Sequence, residues 1–188
     1  MTTLMILLAV VLALAVWAVA MYNSLVRNNN LVAEGFSGVD VQLTRRAELI
    51  PNLIETVKGY MTHERELLEA IAKLHAQSLS ASDAGDRLKT EGLLGQALGK
   101  VLALAEAYPE LKASTNFLEL QKALSDIESE LQLARRYYNG AVRNLNIAVE
   151  SFPSNIIART FGFAKAEFFE AEDEGKRQVP KVDFGNRA

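Results

Sequence analysis

The chain has 188 residues, a net charge of −3 from 20 Lys and Arg against 23 Asp and Glu, and no cysteine. Without cysteine there are no disulfides, no thiol catalysis and no thiolate metal site, and charge of mixed sign along the chain excludes a dedicated nucleic-acid surface, which needs a basic face. Four prolines and eleven glycines among abundant Ala, Leu and Glu predict an all-α fold.

Leu4 to Met21 is an uninterrupted apolar run. A bilayer core needs about 20 apolar residues, with a lower limit near 17, and Thr2, Thr3 and Tyr22 complete the span. Trp17 and Tyr22 near its end suit the aromatic belt of a membrane interface. Ala18-Val19-Ala20 resembles a signal-peptide cleavage site, but no basic residue precedes the run and the run exceeds the usual signal core. Residues 1–23 are therefore read as a retained single-pass transmembrane anchor. No Lys or Arg lies before it, whereas Arg27, Arg45 and Arg46 follow. The excess of basic residues on one side favours a cytoplasmic soluble domain; an extracytoplasmic placement stays open.

After the anchor, Val39, Leu43, Ala47, Ile50, Leu53, Ile54, Val57, Tyr60, Met61, Leu67, Leu68, Ile71 and Leu74 fall at spacings of three and four. This is one stripe of an amphipathic helix. The anchor helix continues into it. Pro51 lies inside the stripe, which runs on past it, so a kink is expected there and not a stop. Gly59 and Thr62-His63-Glu64 offer a second break. Ser78 to Asp86 is small and polar and reads as the first loop.

A shorter helix is expected over Arg87 to Ala107, on Leu88, Leu94, Ala97, Leu98, Val101, Leu104 and Ala105. Its Gly92, Gly95 and Gly99 each cost up to about 1 kcal/mol of helix propensity against alanine, which close approach of a neighbouring helix would offset. Tyr108-Pro109 makes the next turn. Asn116-x-x-Glu119 reads as a capping-box variant. From it, Phe117, Leu120, Leu124, Ile127, Leu131, Ala134, Tyr138, Ala141, Leu145, Ala148 and Phe152 keep the same spacing to Pro153. Two long helices of this kind suit a mainly antiparallel bundle of about four helices, over residues 24–170.

The segment from Ile156 to Glu170 holds Phe161, Phe163, Phe168 and Phe169, half of the eight phenylalanines. Packing onto the bundle is one expectation, each buried phenylalanine contributing roughly 1.5–3 kcal/mol. The other is an interfacial or intersubunit surface. The latter favours a protein contact over lipid, because Glu167 and Glu170 balance Arg159 and Lys165. Residues 171–188 are charged and read as a flexible or extended tail.

Asp40, Arg45, Arg46, Glu48 and Asn52 on the first long helix, and Glu128, Arg135, Arg136, Asn139, Arg143 and Asn144 on the last, form the densest polar constellations. If the two helices are antiparallel, these sets can meet in paired charges and amide hydrogen bonds. Any inward arginine then needs a carboxylate partner. Pairing that fixes helix register is the favoured reading, ahead of a partner-binding patch. His63-Glu64 lacks the second histidine of a zinc-protease helix, since that position is Leu67. His75 stands about 18 Å from His63 along a helix. There is no Glu-x-x-His pair for a di-iron site and no glycine-rich phosphate loop. No catalytic residue, cofactor or metal is expected.

Two blocks carry a family resemblance. The first is Tyr22-Asn23-Ser24-Leu25-Val26, then Asp40-Val41-Gln42-Leu43-Thr44-Arg45-Arg46-Ala47-Glu48-Leu49-Ile50-Pro51-Asn52-Leu53, on to Thr56-Val57-Lys58-Gly59-Tyr60. The second is Tyr108-Pro109, Leu111-Lys112-Ala113, Ala134-Arg135-Arg136-Tyr137-Tyr138-Asn139, Phe152-Pro153 and Gly162-Phe163. Together they resemble the LemA family over nearly the whole chain after the anchor. The resemblance implies a membrane-anchored helical bundle without established enzymatic activity, with magnetosome-membrane members and links to membrane proteases.

The expected function is therefore a non-enzymatic membrane scaffold or adaptor. Its partners would be the lipid bilayer, its own copies in a homo-oligomer, and a membrane protease or other membrane protein, but no nucleic acid. The interaction candidates are Asp40, Arg45, Arg46, Asn52, Arg135, Tyr138, Asn139, Phe161, Phe163, Phe168 and Phe169. Two alternatives are an enzyme or small-molecule-binding bundle built on the same polar residues, and a membrane-shaping assembly of copies packed side by side.

Overall fold

A computed structural model describes residues 1–81 and 84–169. Among them are six helices: α1 (Thr2–Lys58), α2 (Arg65–Ser80), α3 (Ala84–Ala105), α4 (Pro109–Lys112), α5 (Thr115–Glu150) and α6 (Ser154–Phe161). The all-α class and the long-helix bundle expected from periodicity are both present.

The 57 residues of α1 span about 85 Å at 1.5 Å per residue. Its N-terminal part is long and apolar enough to cross a membrane, and its side chains there are exposed. The helix then becomes one-sided without interruption. Its buried positions Gly35, Val39, Leu43, Arg46, Ile50, Leu53 and Val57 fall at spacings of four and three, the seam of a coiled-coil-like contact. Pro51 lies on the exposed side and α1 passes through it. The break comes instead over residues 59–64, after which α2 runs back along α1 and α3 turns outward again.

On α5, Phe117, Leu124, Leu131, Tyr138 and Leu145 are buried and recur every seven residues. This seam faces α1, and those two helices form the main contact of the bundle. They are antiparallel: Gly35 meets Tyr138, whereas Arg46, further along α1, meets Glu128, further back on α5.

The core has two storeys. The one far from the anchor takes Ile50 and Leu53 from α1, Ile71 from α2, Leu94 and Val101 from α3, and Phe117 from α5. The 16 residues of α2 reach only about 24 Å, so α2 and α3 cannot cover the whole α1–α5 pair. In the storey nearer the anchor, Val39, Leu43, Leu131, Tyr138 and Val142 pack instead with Leu88 and with Phe169 from the C-terminal segment.

That segment is placed by a reversal. The hydroxyl of Ser154 donates to the Ala148 carbonyl at 2.7 Å, one of the carbonyls left open at the end of α5. Gly162 then closes α6 with φ of 76°, a left-handed value that glycine adopts without Cβ strain. The chain leaves α6 and runs back along α5 as an extended strap over residues 163–169.

Four expectations need correction. Ser78, Leu79 and Ser80 belong to α2, because Ser78 is turned inward and hydrogen-bonded. α3 starts at Ala84. The Asn116–Glu119 capping box does not form: α5 begins at Thr115 after Ser114, with no side-chain cap. A Cβ added at Gly92 or Gly99 meets nothing within 4 Å, and one at Gly95 meets only the Arg46 side chain. The close helix approach is at Gly35, where a Cβ would lie 3.0 Å from the Tyr138 Cα. The tail over 171–188 lies outside the described residues.

Candidate functional site

Arg46 occupies a position of the α1 seam and is only 2% exposed. A buried guanidinium is tolerable only with close anionic or carbonyl partners, and three are present. Its Nη2 donates to a carboxylate oxygen of Glu91, itself 2% exposed, and to the Glu91 carbonyl at 2.9 Å. Its Nη1 donates to Glu128 Oε2 at 3.2 Å. The other Glu91 oxygen accepts from the Ser78 hydroxyl. Glu128 also stands 3.6 Å from Arg135 Nη1. One network thus ties α1, α2, α3 and α5 together, with two arginines balanced by two glutamates.

Arg135 is half-buried beside this network. Its guanidinium carbon lies 4.1 Å above the centre of the Phe169 ring, a cation–π distance. Burial pushes Arg135 below its ordinary pKa, while the Glu128 carboxylate pulls the other way.

The strap is clamped by two asparagines. Asn139 donates to the Phe169 carbonyl at 3.0 Å and accepts from the Phe169 amide at 2.8 Å. Asn146 treats Ala166 identically, at 3.0 Å and 2.9 Å. Each side-chain amide satisfies both backbone groups of one strap residue, as a neighbouring strand would. The spacing explains the match: seven helical residues rise about 10.5 Å, and three extended residues span about 10 Å. Between the clamps the Tyr138 hydroxyl donates to the Glu167 carbonyl at 2.8 Å. Burial, then the Glu167 charge, push that hydroxyl above its ordinary pKa.

The sequence candidates therefore separate. Arg46 joins the buried network. Arg135, Tyr138, Asn139 and Phe169 form the strap seat. Phe161 and Phe163 pack edge-on against Tyr22, with ring centres 4.8 Å and 5.7 Å away. Asp40 pairs with Arg87 of α3 at the surface. Arg45, Asn52 and Phe168 are exposed and belong to none of these groups. The expected meeting of α1 and α5 charges occurs at Arg46–Glu128, but the closer partner, Glu91, comes from α3.

Glu91, Ser78, Asn146 and Gly35 were not singled out from sequence, and Tyr22 was read only as part of the membrane-interface belt and the family block. A signal existed for two of them. Glu91 falls between Leu88 and Leu94 on the apolar stripe of α3, and Ser78 is seven residues past the buried Ile71. An acid and a hydroxyl on core stripes of neighbouring helices call for a cation between them.

A depression of about 480 Å³ opens between α1 and α2 at the end far from the anchor, lined by Ile54, Lys58, Met61, Arg65 and Leu68 among others. None of the network or strap residues lines it. Among the described residues, no three His, Asp or Glu side chains are grouped to hold a metal.

Residues 35–184 match the LemA family, a stretch that takes in the network, the strap and both asparagine clamps. Among curated proteins the chain is similar to magnetosome proteins MamQ 1 and MamQ 2 of Paramagnetospirillum magneticum, at 22% identity over 184 residues, covering 84% of this chain and 68% of each relative. It is also similar to the protein LemA of Metamycoplasma hominis, at 23% identity over 165 residues, covering 87% of this chain and 75% of that one. With most of its length matched and the helical architecture in place, the chain belongs to the LemA family.

Proposed function

We propose that the chain is a non-enzymatic, membrane-anchored scaffold that holds a rigid helical bundle at a set distance from the bilayer, where it self-associates and recruits another membrane protein. The observation that carries this reading is the continuity of α1. One helix runs from the apolar segment through the bundle to Lys58, so no hinge separates the bundle from the membrane. The polar cluster favours structure over chemistry: Arg46 and Glu91 are fully enclosed by protein, which leaves no room for a substrate between them.

The surface offered to a partner or a second copy is the shallow groove between α1 and α5. It is lined by Glu34, Gly38, Gln42, Leu133 and Tyr137, and Leu133 and Tyr137 are exposed there. Kinship with proteins named for the magnetosome supports a part in organising a cellular structure. The lack of basic residues before the span, with Arg27 after it, favours the cytoplasmic face of the inner membrane.

The test is the mass of the full-length protein in mild detergent and in lipid nanodiscs, beside Leu133→Glu and Tyr137→Glu variants. A defined assembly that the substitutions dissolve supports the scaffold. A monomer under both conditions removes self-association. An assembly of open-ended size would instead favour membrane shaping.

A further inference from the structure

We infer that α6, with the turn before it, is a second membrane contact: a short interfacial helix that lies in the headgroup layer beside the anchor. The inference rests on the anchored reading of α1. Thr2 to Met21 forms about 30 Å of helix, the thickness of the hydrocarbon core, and the polar headgroup layer adds about 5–8 Å on each side. Tyr22 follows directly and therefore stands at the start of that layer. The ring of Phe161 is centred 4.8 Å from the ring of Tyr22, and that of Phe163 5.7 Å. Those distances hold the C-terminal end of α6 at that level.

Helix register gives the same level independently. Gly35 against Tyr138 and Arg46 against Glu128 fix how α5 runs beside α1. Extending that pairing to Tyr22 arrives at Ser151 and Phe152, where α5 has ended. Phe152 is 80% exposed, Ile156 54% and Phe161 59%. The bundle thus turns three large apolar side chains outward at the height where the anchor enters lipid. Elsewhere such exposure would be costly; in the headgroup layer it is favourable. The nearby charges agree. Arg27 and Arg159 are exposed, where lipid phosphates lie within reach, and Glu150 is already paired with Lys165 at 2.7 Å.

This inference departs from the preference for a protein contact drawn from composition. Glu167 counted against lipid there, yet it lies on the strap that leads away from the membrane beside Tyr138.

The absence of native cysteine makes single-site labelling direct. A polarity-sensitive fluorophore is placed on the full-length protein at Phe152→Cys, Ile156→Cys, Leu8→Cys and Leu79→Cys. Each variant is loaded at one copy per nanodisc of phosphatidylcholine and phosphatidylglycerol, with and without nitroxide-bearing lipid. Leu8 reports the anchor, and the exposed Leu79 lies at the level of the buried network, well away from lipid. The expected result is strong quenching at positions 8, 152 and 156, several-fold above that at 79. Quenching at 8 alone overturns the inference and leaves the anchor intact. No quenching at 8 overturns the anchored reading with it. A blue shift at 156 that appears only with several copies per disc also overturns it, because the occupant is then a second copy.

Discussion

The buried network makes a quantitative prediction at Arg46. Replacing it with alanine leaves the Glu91 carboxylate 2% exposed with only the Ser78 hydroxyl as a side-chain donor. Breaking one half of a buried ion pair in this way costs about 3–5 kcal/mol. In a protein of this size 1 kcal/mol moves the Tm by about 2–4 °C, so the expected drop is about 6–20 °C. Glu91→Leu alone should be similarly harmful, since Arg46 would keep only a carbonyl and the partly exposed Glu128. The double variant Arg46→Met with Glu91→Leu removes both charges and fills the space, and buried pairs replaced by apolar residues are often neutral or better. It should therefore recover most of the loss. The contrast is Asp40→Ala: that pair with Arg87 is 24–40% exposed, and such pairs are worth about 0–1 kcal/mol. The assay is thermal and denaturant unfolding of the full-length protein in one detergent, followed by circular dichroism, with the folded helical signal unchanged throughout. A loss below about 1 kcal/mol for Arg46→Ala, or a double variant no better than either single, would refute the argument that Arg46 and Glu91 are held by each other.

Three further predictions concern the strap and the helix seam. Asn139→Ala and Asn146→Ala each delete two backbone pairings at about 0.5–1.5 kcal/mol apiece, so amide hydrogen exchange over residues 163–169 should speed up about 10-fold or more while α1 and α5 stay protected. Gly38→Ala should stabilise by up to about 1 kcal/mol through helix propensity, since its Cβ meets nothing within 4 Å; Gly35→Ala should destabilise in the same unfolding assay, because its Cβ would press on the Tyr138 backbone at 3.0 Å. Tyr138 has a folded pKa raised above its ordinary 10.0, so its contribution is intact below pH 10 and is lost as pH rises through the folded value; Tyr138→Phe should cost about 1 kcal/mol at neutral pH and show a shallower alkaline decline in a pH series.

The helices and their seams were legible because burial imposes a period. Val39, Leu43, Ile50, Leu53 and Val57 mark the α1 stripe whatever lies opposite, and Phe117 to Leu145 do so on α5. The site was legible only in part, because periodicity names a face and not its occupant. Arg46 sits on the seam itself, between Leu43 and Ile50, yet polarity moved the stripe to Ala47 beside it. Once Arg46 is accepted as inward, its need for an acid follows, and Glu91 is the acid on a core stripe. The strap was hidden for a different reason. Residues 163–169 have no regular period, and their place is set by side chains 20 to 30 residues earlier on α5. Only the seven-residue spacing of Asn139 and Asn146, read as a ladder for an extended chain, could have pointed to it. The glycines of α3 misled because a glycine inside a helix does not by itself mark a close approach: a Cβ at Gly92 or Gly99 meets nothing within 4 Å.

The network and the strap are coupled through Arg135. Its guanidinium stands 3.6 Å from Glu128, which also binds Arg46, and it is covered by the Phe169 ring at 4.1 Å. Lifting the strap would uncover Arg135, rehydrate it and weaken its hold on Glu128. The strap in turn begins at Phe163, against Tyr22 at the end of the anchor. A continuous line of contacts therefore runs from the bilayer edge, along the strap, to the centre of the bundle. In this geometry the membrane-facing end and the buried charges are parts of one structure, and a force or partner that displaced α6 from the membrane surface would be felt first at Asn146 and Asn139, and then at the pairing of Arg46. The order is testable with the strap variants: in Asn139→Ala with Asn146→Ala, the unfolding cost of Arg46→Ala should fall, because part of the network's enclosure is already lost. Strict additivity of the two effects would show that strap and network are independent, as is usual for sites without shared partners.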